Sequence, residues 1–475
     1  MKRIIYLSLS ILALASCQKH MTDLNIDPKN PTVVPSSTLM TKAQVNLANN
    51  LASADVNVNI FRLISQYWTE TTYTDESNYN FAERSIPDNW WNAWYRDVLN
   101  NLQQARIFAR TDVTAVDPGV LKNDSAIIDI QQCYAFYVLL TTYGNVPYTQ
   151  ALDPNVTFPK YDDAKTAYYD ILSRLDADIA ALDPNSASWG GADVIYNGDP
   201  AAWKKFAYSL ELKMGVLIAD DDPARAKTVV EAAAPNVFTS NDDNASLPFL
   251  QAPPNTNPIW VSLVQSGRQD FVATTTIINI MDSLNDPRIA DFFTEDGNDS
   301  YSGGVPGKSN TYSSFSHAGS AIVKPDFPGL ILDYAEVELA LAEGAARGFN
   351  VGGTVETHYD AAITASITYW GGSATDATTF LAQPTVNYAT AGGTWQQKIG
   401  LQSYLALYNR GFEGWTAIRH LNYPSLPAPK NALSVFPQRV LYPTKEENAN
   451  TGSWQTAANA IGGDNVGTKL WFDKN

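Results

Sequence analysis

The sequence predicts a mainly α-helical protein, one domain of packed helices with long irregular loop excursions. Three observations carry this. Apolar residues recur at three- and four-residue steps through most of the chain, the connections between those runs are long and rich in Gly, Asn and Ser, and no Pro/Gly/Ser linker cuts the chain in two. At 475 residues, 45% hydrophobic and 17% charged, the chain can bury a large core.

The first element is a targeting segment. Lys2 and Arg3 precede an apolar run from Ile4 to Ala15, and the small residues Ala15 and Ser16 stand before Cys17. A positive start, a short apolar core and small residues at the cut are the grammar of a secretory signal, here residues 1–16. The run is shorter than the roughly 20 residues a transmembrane helix needs. Leu14-Ala15-Ser16-Cys17 resembles the bacterial lipobox, so Cys17 is the expected lipidation site, against an ordinary secreted protein with a chance cysteine. Residues 17–37 then form a leader mixing Pro, Asn and Asp, and residues 38–475 the single domain.

Helical periodicity follows. Trp203, Phe206, Leu210, Met214 and Leu217 share one face of a helix over 199–219, with Asp199 as cap and Pro200 at its first position. Tyr168, Ile171, Leu172, Leu175, Ile179 and Leu182 do the same over 165–182. Residues 125–142, 329–347 and 356–370 complete the set, which places Trp203 and Tyr334 in the core. The pair Tyr334–Gly348 and Glu356–Tyr369 reads as a degenerate tetratricopeptide hairpin. Ala-Leu-Asp-Pro-Asn occurs at 151–155 and 181–185, and both copies read as turns. The long loops are 239–257 and 295–324, and loops of that length bind or cover something.

Composition excludes some functions. A formal charge of −17 makes nucleic acid and anionic lipid poor partners for the body. The only cysteines are Cys17 and Cys133, which rules out a disulfide framework, and Cys133 in its apolar run reads as a buried, inert thiol. With 12 Trp, 24 Tyr and 18 Phe, the chain suits neutral or polar ligands better than anions.

Catalytic motifs are scarce. "GGVPGKS" (Gly303 to Ser309) fails as a phosphate loop because Ser302 stands where the first glycine belongs and Pro306 intrudes, so it reads as a flexible loop. His20, His317, His358 and His420 show no metal-ligand spacing. Paired carboxylates for glycoside hydrolysis stay open, since sequence cannot measure their separation. Asp220-Asp221-Asp222, residues 241–244 and residues 296–299 read as solvated turns or caps. We therefore expect no cofactor, with calcium the alternative.

The stretch from Thr72 to Ala105 is the most pointed. Trp91, Tyr95, Val98 and Leu102 share a helical face and read as core, whereas Trp90 is offset beside Asn89. Tryptophan faces stack on sugar rings, and burial of the same rings is the competing reading. The candidate stacking residues are Tyr73, Tyr79, Trp90, Trp260, Tyr301 and Tyr312. Asn89, Arg268 and Asp270 are candidate hydrogen-bonding partners, although an ion pair near the Asn285–Arg288 turn would explain the last two equally well.

Several segments together resemble the SusD/RagB family of nutrient-binding outer-membrane lipoproteins, in its SusD-like branch. They include "DLNIDPKNPT" from Asp23, "QYWTETTY" from Gln66, "YGNVPYTQAL" from Tyr143, "IYNGDPAAWKKFAYSLELKM" from Ile195, "DYAEVELALAEGAARG" from Asp333 and "GFEGWTAIRHLNYPSL" from Gly411. The resemblance implies a tetratricopeptide-type helical hairpin scaffold whose long irregular loops form a ligand-binding face. It further implies a non-catalytic, lipid-anchored protein on the outer membrane, facing outward, that binds glycans or peptides and passes them to a SusC-like TonB-dependent transporter. The alternatives are a surface glycan hydrolase and a helical-repeat scaffold that binds protein.

Overall fold

The computed structural model describes residues 34–111 and 117–474. Cys17, the signal segment and all but the end of the leader lie outside them. The first helix, α1 (Ser36–Ala52), begins two residues before the expected domain boundary.

Helices dominate, arranged as antiparallel hairpins. In order, α2 is Ile86–Trp94, α3 Asn100–Thr111, α4 Pro118–Tyr143, α5 Ala164–Ala181, α6 Pro200–Leu217, α7 Pro223–Ala233, α8 Thr275–Leu284, α9 Tyr334–Ala346, α10 Val355–Tyr369, α11 Ala374–Leu381, α12 Trp395–Ala406 and α13 Gly411–Leu421. The hairpins are α4–α5, α6–α7, α9–α10 and α12–α13, and α6 packs on both α5 and α9. Two antiparallel strand pairs complete the fold: β1 (Trp68–Glu70) with β3 (Phe271–Ala273), and β2 (Ala245–Leu247) with β4 (Gly329–Leu332).

Aspartate sets the helix starts. Asp117, Asp163, Asp199, Asp222 and Asp333 each accept a backbone N–H of the first turn of α4, α5, α6, α7 and α9. Each satisfies a donor the helix leaves open and places negative charge at the positive end of the helix dipole. Three of these caps are followed by proline at the first helical position. At Asp153 and Asp183 the same dipeptide makes turns instead, with the aspartate accepting the backbone N–H of Asn155 and of Asn185 at 2.9 Å each.

The buried apolar residues form two main clusters, one under α1–α7 that also takes in one face of α9 and α13, and one under α8–α13, and Val56, Tyr334 and Phe436 pack against both. Trp203 is 1% exposed, as expected. Tyr334 is only half-buried, because it sits at the first position of α9, on the seam, rather than within a helical face. Residues 329–332 form strand β4 rather than helix, and the 239–257 loop contains its partner β2. Tyr95 is half-buried, whereas Trp91, Val98 and Leu102 are core.

Charge is buried where the two cores meet. Lys213 on α6 contacts Glu413 of α13 and Glu336 of α9 (2.7 Å to the latter), and Arg410 contacts Glu336 (2.7 Å) and Asp333 (2.8 Å). Cys133 is fully buried, which holds its thiol well above its ordinary pKa.

Candidate functional site: a cleft beside the strand pair

The site is built on β1 and β3, where Glu70 pairs with Phe271 and the backbone N–H of Thr71 donates to Asp270 O at 2.8 Å. Beyond β1 the chain reverses at Tyr73 (φ +54°) and Tyr79 (φ +64°). Both lie in the left-handed region that side chains other than glycine rarely adopt, a strain that tends to collect at functional sites. The Gly303–Ser309 loop clamps this corner and is not a free loop. Gly304 N donates to Ala273 O (2.8 Å), Gly307 N to Thr69 Oγ1 (3.2 Å), and Asn78 Nδ2 to Gly307 O (2.8 Å). Gly303 and Gly304 are required here, since a Cβ at either would sit within 3 Å of Thr274 or Asn310 atoms.

These contacts hold open a cleft of about 1000 Å³, mouth included, lined by Glu70, Tyr73, Arg84, Arg268 and Asp270 together with residues 54–57 and the Val261–Ser266 wall. Tyr73 stands at its lip with 79% of its surface exposed. The cleft is rich in donors and acceptors. Arg268 Nε lies 2.5 Å from Asp270 Oδ2, and Asp55 accepts the backbone and side-chain N–H groups of Asn57 at 2.9 and 2.6 Å.

Glu70 is the most perturbed group. Burial, then a hydrogen bond with Glu76, pushes its carboxyl up to about 9, although Ser77 N donates to it at 3.0 Å. Glu76 lies 2.5 Å from Arg84 Nε. Arg84 thereby balances the charge of Glu76. What the cleft can do chemically is bond hydroxyl and amide groups within it and stack an apolar ring face on Tyr73.

The SusD-like family, described as starch-binding associating with outer membrane, matches residues 28–443. The chain belongs to this family. Among solved structures it resembles a chitin-binding SusD homolog from Flavobacterium johnsoniae, at 25% identity and TM-score 0.77, covering 92% of this chain and 99% of that one. A SusD homolog from Bacteroides uniformis matches at 25% identity and TM-score 0.78, covering 92% and 99%. Among curated proteins, none matches. No helix among the described residues is long and apolar enough to cross a membrane.

Of the candidate ligand residues read from the sequence, the fold brings Tyr73, Arg268 and Asp270 together in the cleft. The ion pair here is Arg268 with Asp270. Arg288 of the later turn has its own buried partner, Asp286, at 2.5 Å. Trp90 must be corrected: it is fully buried, packed edge-on against Phe61 (5.0 Å) and Trp94 (5.4 Å), because α2 is covered on more than one side and leaving the Trp91 face does not mean reaching water. Tyr79 is corrected too, being 3% exposed with its hydroxyl accepting from Gln66 Nε2 (3.0 Å) and its ring edge-on to Phe436. Asn89 gives its amide to Asn57 O (3.0 Å) and Arg84 O (3.3 Å), fastening the cleft wall to α2. Trp260 and Tyr301 are half-buried outside the cleft lining, and Tyr312 lies flat on His317 at 4.4 Å.

Sequence reasoning missed Glu70, Arg84, Asp55 and Ser262, which lie in four separate segments with no spacing signal. The acidic clusters weighed for calcium already have partners. Arg347 holds Asp220, Lys165 and Lys474 hold Asp221, Asp222 caps α7, and Lys205 holds Asp243. Asp296 accepts the backbone N–H of Asn298 at 2.8 Å. Among the described residues, Asp129, Cys133 and Asp178 bring ligand atoms within 4.8 Å of one another. Arg106 and Arg174 already hold Asp129, and burial with the neighbouring Asp129 raises Asp178 to about 9, so the group suits a proton better than a cation.

Proposed function

We propose that this SusD-like protein is a non-catalytic capture protein that holds an oligosaccharide in the cleft beside β1 and delivers it to a TonB-dependent barrel transporter of the outer membrane. The observation that carries the reading is Tyr73, an aromatic ring 79% exposed on a left-handed backbone at the lip of a polar cleft. A protein spends backbone strain and exposed apolar area together where a ligand will cover the ring. The chitin-binding relative supports a glycan over a peptide. The formal charge of −17 favours a neutral glycan over a polyanion. Lipid anchoring at Cys17 would confine the protein to the transporter's membrane, where effective concentration favours assembly without a very strong contact.

The test is calorimetric titration of the soluble domain with chito-, cello- and malto-oligosaccharides, with analysis of the ligand afterwards. Binding by at least one series, lost on Tyr73→Ala and with the sugar recovered intact, supports the reading. Cleaved product would turn it toward a hydrolase, and binding unaffected by Tyr73→Ala would displace the site.

A further inference from the structure

One wall of the cleft is a short helical segment that is apolar on its outer side as well as its inner one. It runs from Pro258–Trp260 into a wider π turn, Val261–Gln265, a form that gathers at functional sites. Asn257 starts it, accepting the Ile259 backbone N–H at 2.7 Å and donating its own amide to Phe327 O at 2.7 Å. Ile259 is fully buried, and Leu263 packs partly buried against the same core cluster. These inner residues hold the wall in place. The outer valines are Val261, 39% exposed and lining the cleft, and Val264, 48% exposed and outside the lining.

Val261 stands apart from its surroundings. Most of the lining is polar, and its remaining apolar residues, Tyr73 excepted, offer little surface: Ala54 and Phe271 are buried, and Val56 is half-buried against both cores. The cleft therefore presents two accessible apolar surfaces, the Tyr73 ring and the Val261 side chain, on separate segments of the chain. Ring stacking uses the first. An unsubstituted hexose has its apolar surface on the ring face and hydroxyls around the edge, so it brings little for Val261 to cover. A sugar whose edge carries an acetamido group brings a methyl together with one N–H and one C=O. Polar groups of the same lining match that amide: the Ser262 hydroxyl both donates and accepts, and Arg268 has further guanidinium N–H groups beside the Nε that Asp270 holds at 2.5 Å. An acetamide is also neutral, which suits a wall whose arginine is already paired.

We propose that Val261 is a specificity-determining residue of the cleft, taking the methyl of an N-acetylated amino sugar while the sugar ring stacks on Tyr73. The proposal rests on the capture reading of the same cleft. One methyl in an apolar contact discriminates by about 10- to 200-fold in a closed pocket, and a half-open wall belongs at the lower end.

The test compares tetrasaccharides that share one backbone linkage and differ only at C2: hydroxyl in the cello- series, acetamido in the chito- series and ammonium in the deacetylated chito- tetramer. Each is titrated calorimetrically into wild type, Val261→Ser, Val264→Ser and Tyr73→Ala, with the malto- tetramer alongside. Neither valine belongs to a core cluster, so both serine variants should fold, which unchanged melting temperatures verify. Wild type should bind the acetamido tetramer about tenfold more tightly than the other two of its linkage. Val261→Ser should lose most of that preference by weakening the acetamido tetramer alone, and Val264→Ser should keep it. Equal wild-type affinities for the cello- and chito- tetramers, both lost on Tyr73→Ala, overturn the proposal and leave the capture reading standing. A preference that survives Val261→Ser puts the methyl elsewhere, and one that both serine variants abolish reports wall packing, so either result overturns Val261. Tighter binding of the deacetylated tetramer overturns it in favour of charge recognition. Binding of the malto- tetramer alone, lost on Tyr73→Ala, keeps the capture reading without the proposal, and binding of no tetramer overturns both.

Discussion

Glu70 and Ser77 bond reciprocally, the Ser77 backbone N–H donating to Glu70 Oε2 and the Glu70 backbone N–H to Ser77 Oγ, both at 3.0 Å, beside a Glu76 that Arg84 holds at 2.5 Å. The bonds tie β1 to the turn beyond Tyr73, and burial with Glu76 nearby raises the Glu70 carboxyl to about 9. Its consequences can be measured in solution.

The folded-state pKa of Glu70, about 9, lies above its unfolded value near 4.5. Between those values the native state holds a proton that the unfolded chain has released. The linkage slope is therefore negative: the contribution is fully present below about pH 4.5, declines as pH rises, and is gone above about pH 9. Glu70→Gln, which keeps both an acceptor for Ser77 and a donor for Glu76, removes this dependence. Denaturant melts across that window should show wild type losing stability with pH by at most about 1.4 kcal/mol per unit from this group, and the variant a flatter profile.

Tyr73 and Trp90 should part company. Tyr73→Ala removes an exposed ring, so ligand affinity falls by about 1–3 kcal/mol by analogy with base stacking while the melting temperature stays put. Trp90→Ala empties a core site and should cost about 3–5 kcal/mol of stability. A small stability loss in Trp90→Ala would contradict its burial.

Lys213 sits between Glu336 and Glu413 with 10% of its side chain exposed. Lys213→Met removes the cation and leaves two carboxylates facing each other without it, a change that costs on the order of 3–5 kcal/mol. A double change that also neutralises Glu413 to Gln, while Glu336 keeps Arg410, should recover most of that loss, as read in urea midpoints.

Cys17→Ala should abolish incorporation of a fatty-acid analogue and move the protein from the membrane fraction to the soluble one. Undiminished labelling of the variant would place the anchor elsewhere.

The sequence by itself determined the helical scaffold, because the 3.6-residue period, the Asp-Pro starts and the Ala-rich pair at 334–369 are local signals that tertiary packing had no reason to override. It also named Tyr73, Arg268 and Asp270, three residues that the fold brings to one cleft. What it could not decide was the environment of each aromatic. Trp90 and Trp91 are adjacent on one helix, and both are buried because distant parts of the chain pack against α2 from two sides: Phe61 and Phe412 on Trp90, Tyr143 and Tyr161 on Trp91. The raised carboxyl of Glu70 was equally invisible, because burial first and then the neighbouring Glu76 raise it, and both come from the folded surroundings. Local periodicity fixes where helices form, whereas exposure and charge state are properties of surroundings that only the tertiary structure assembles.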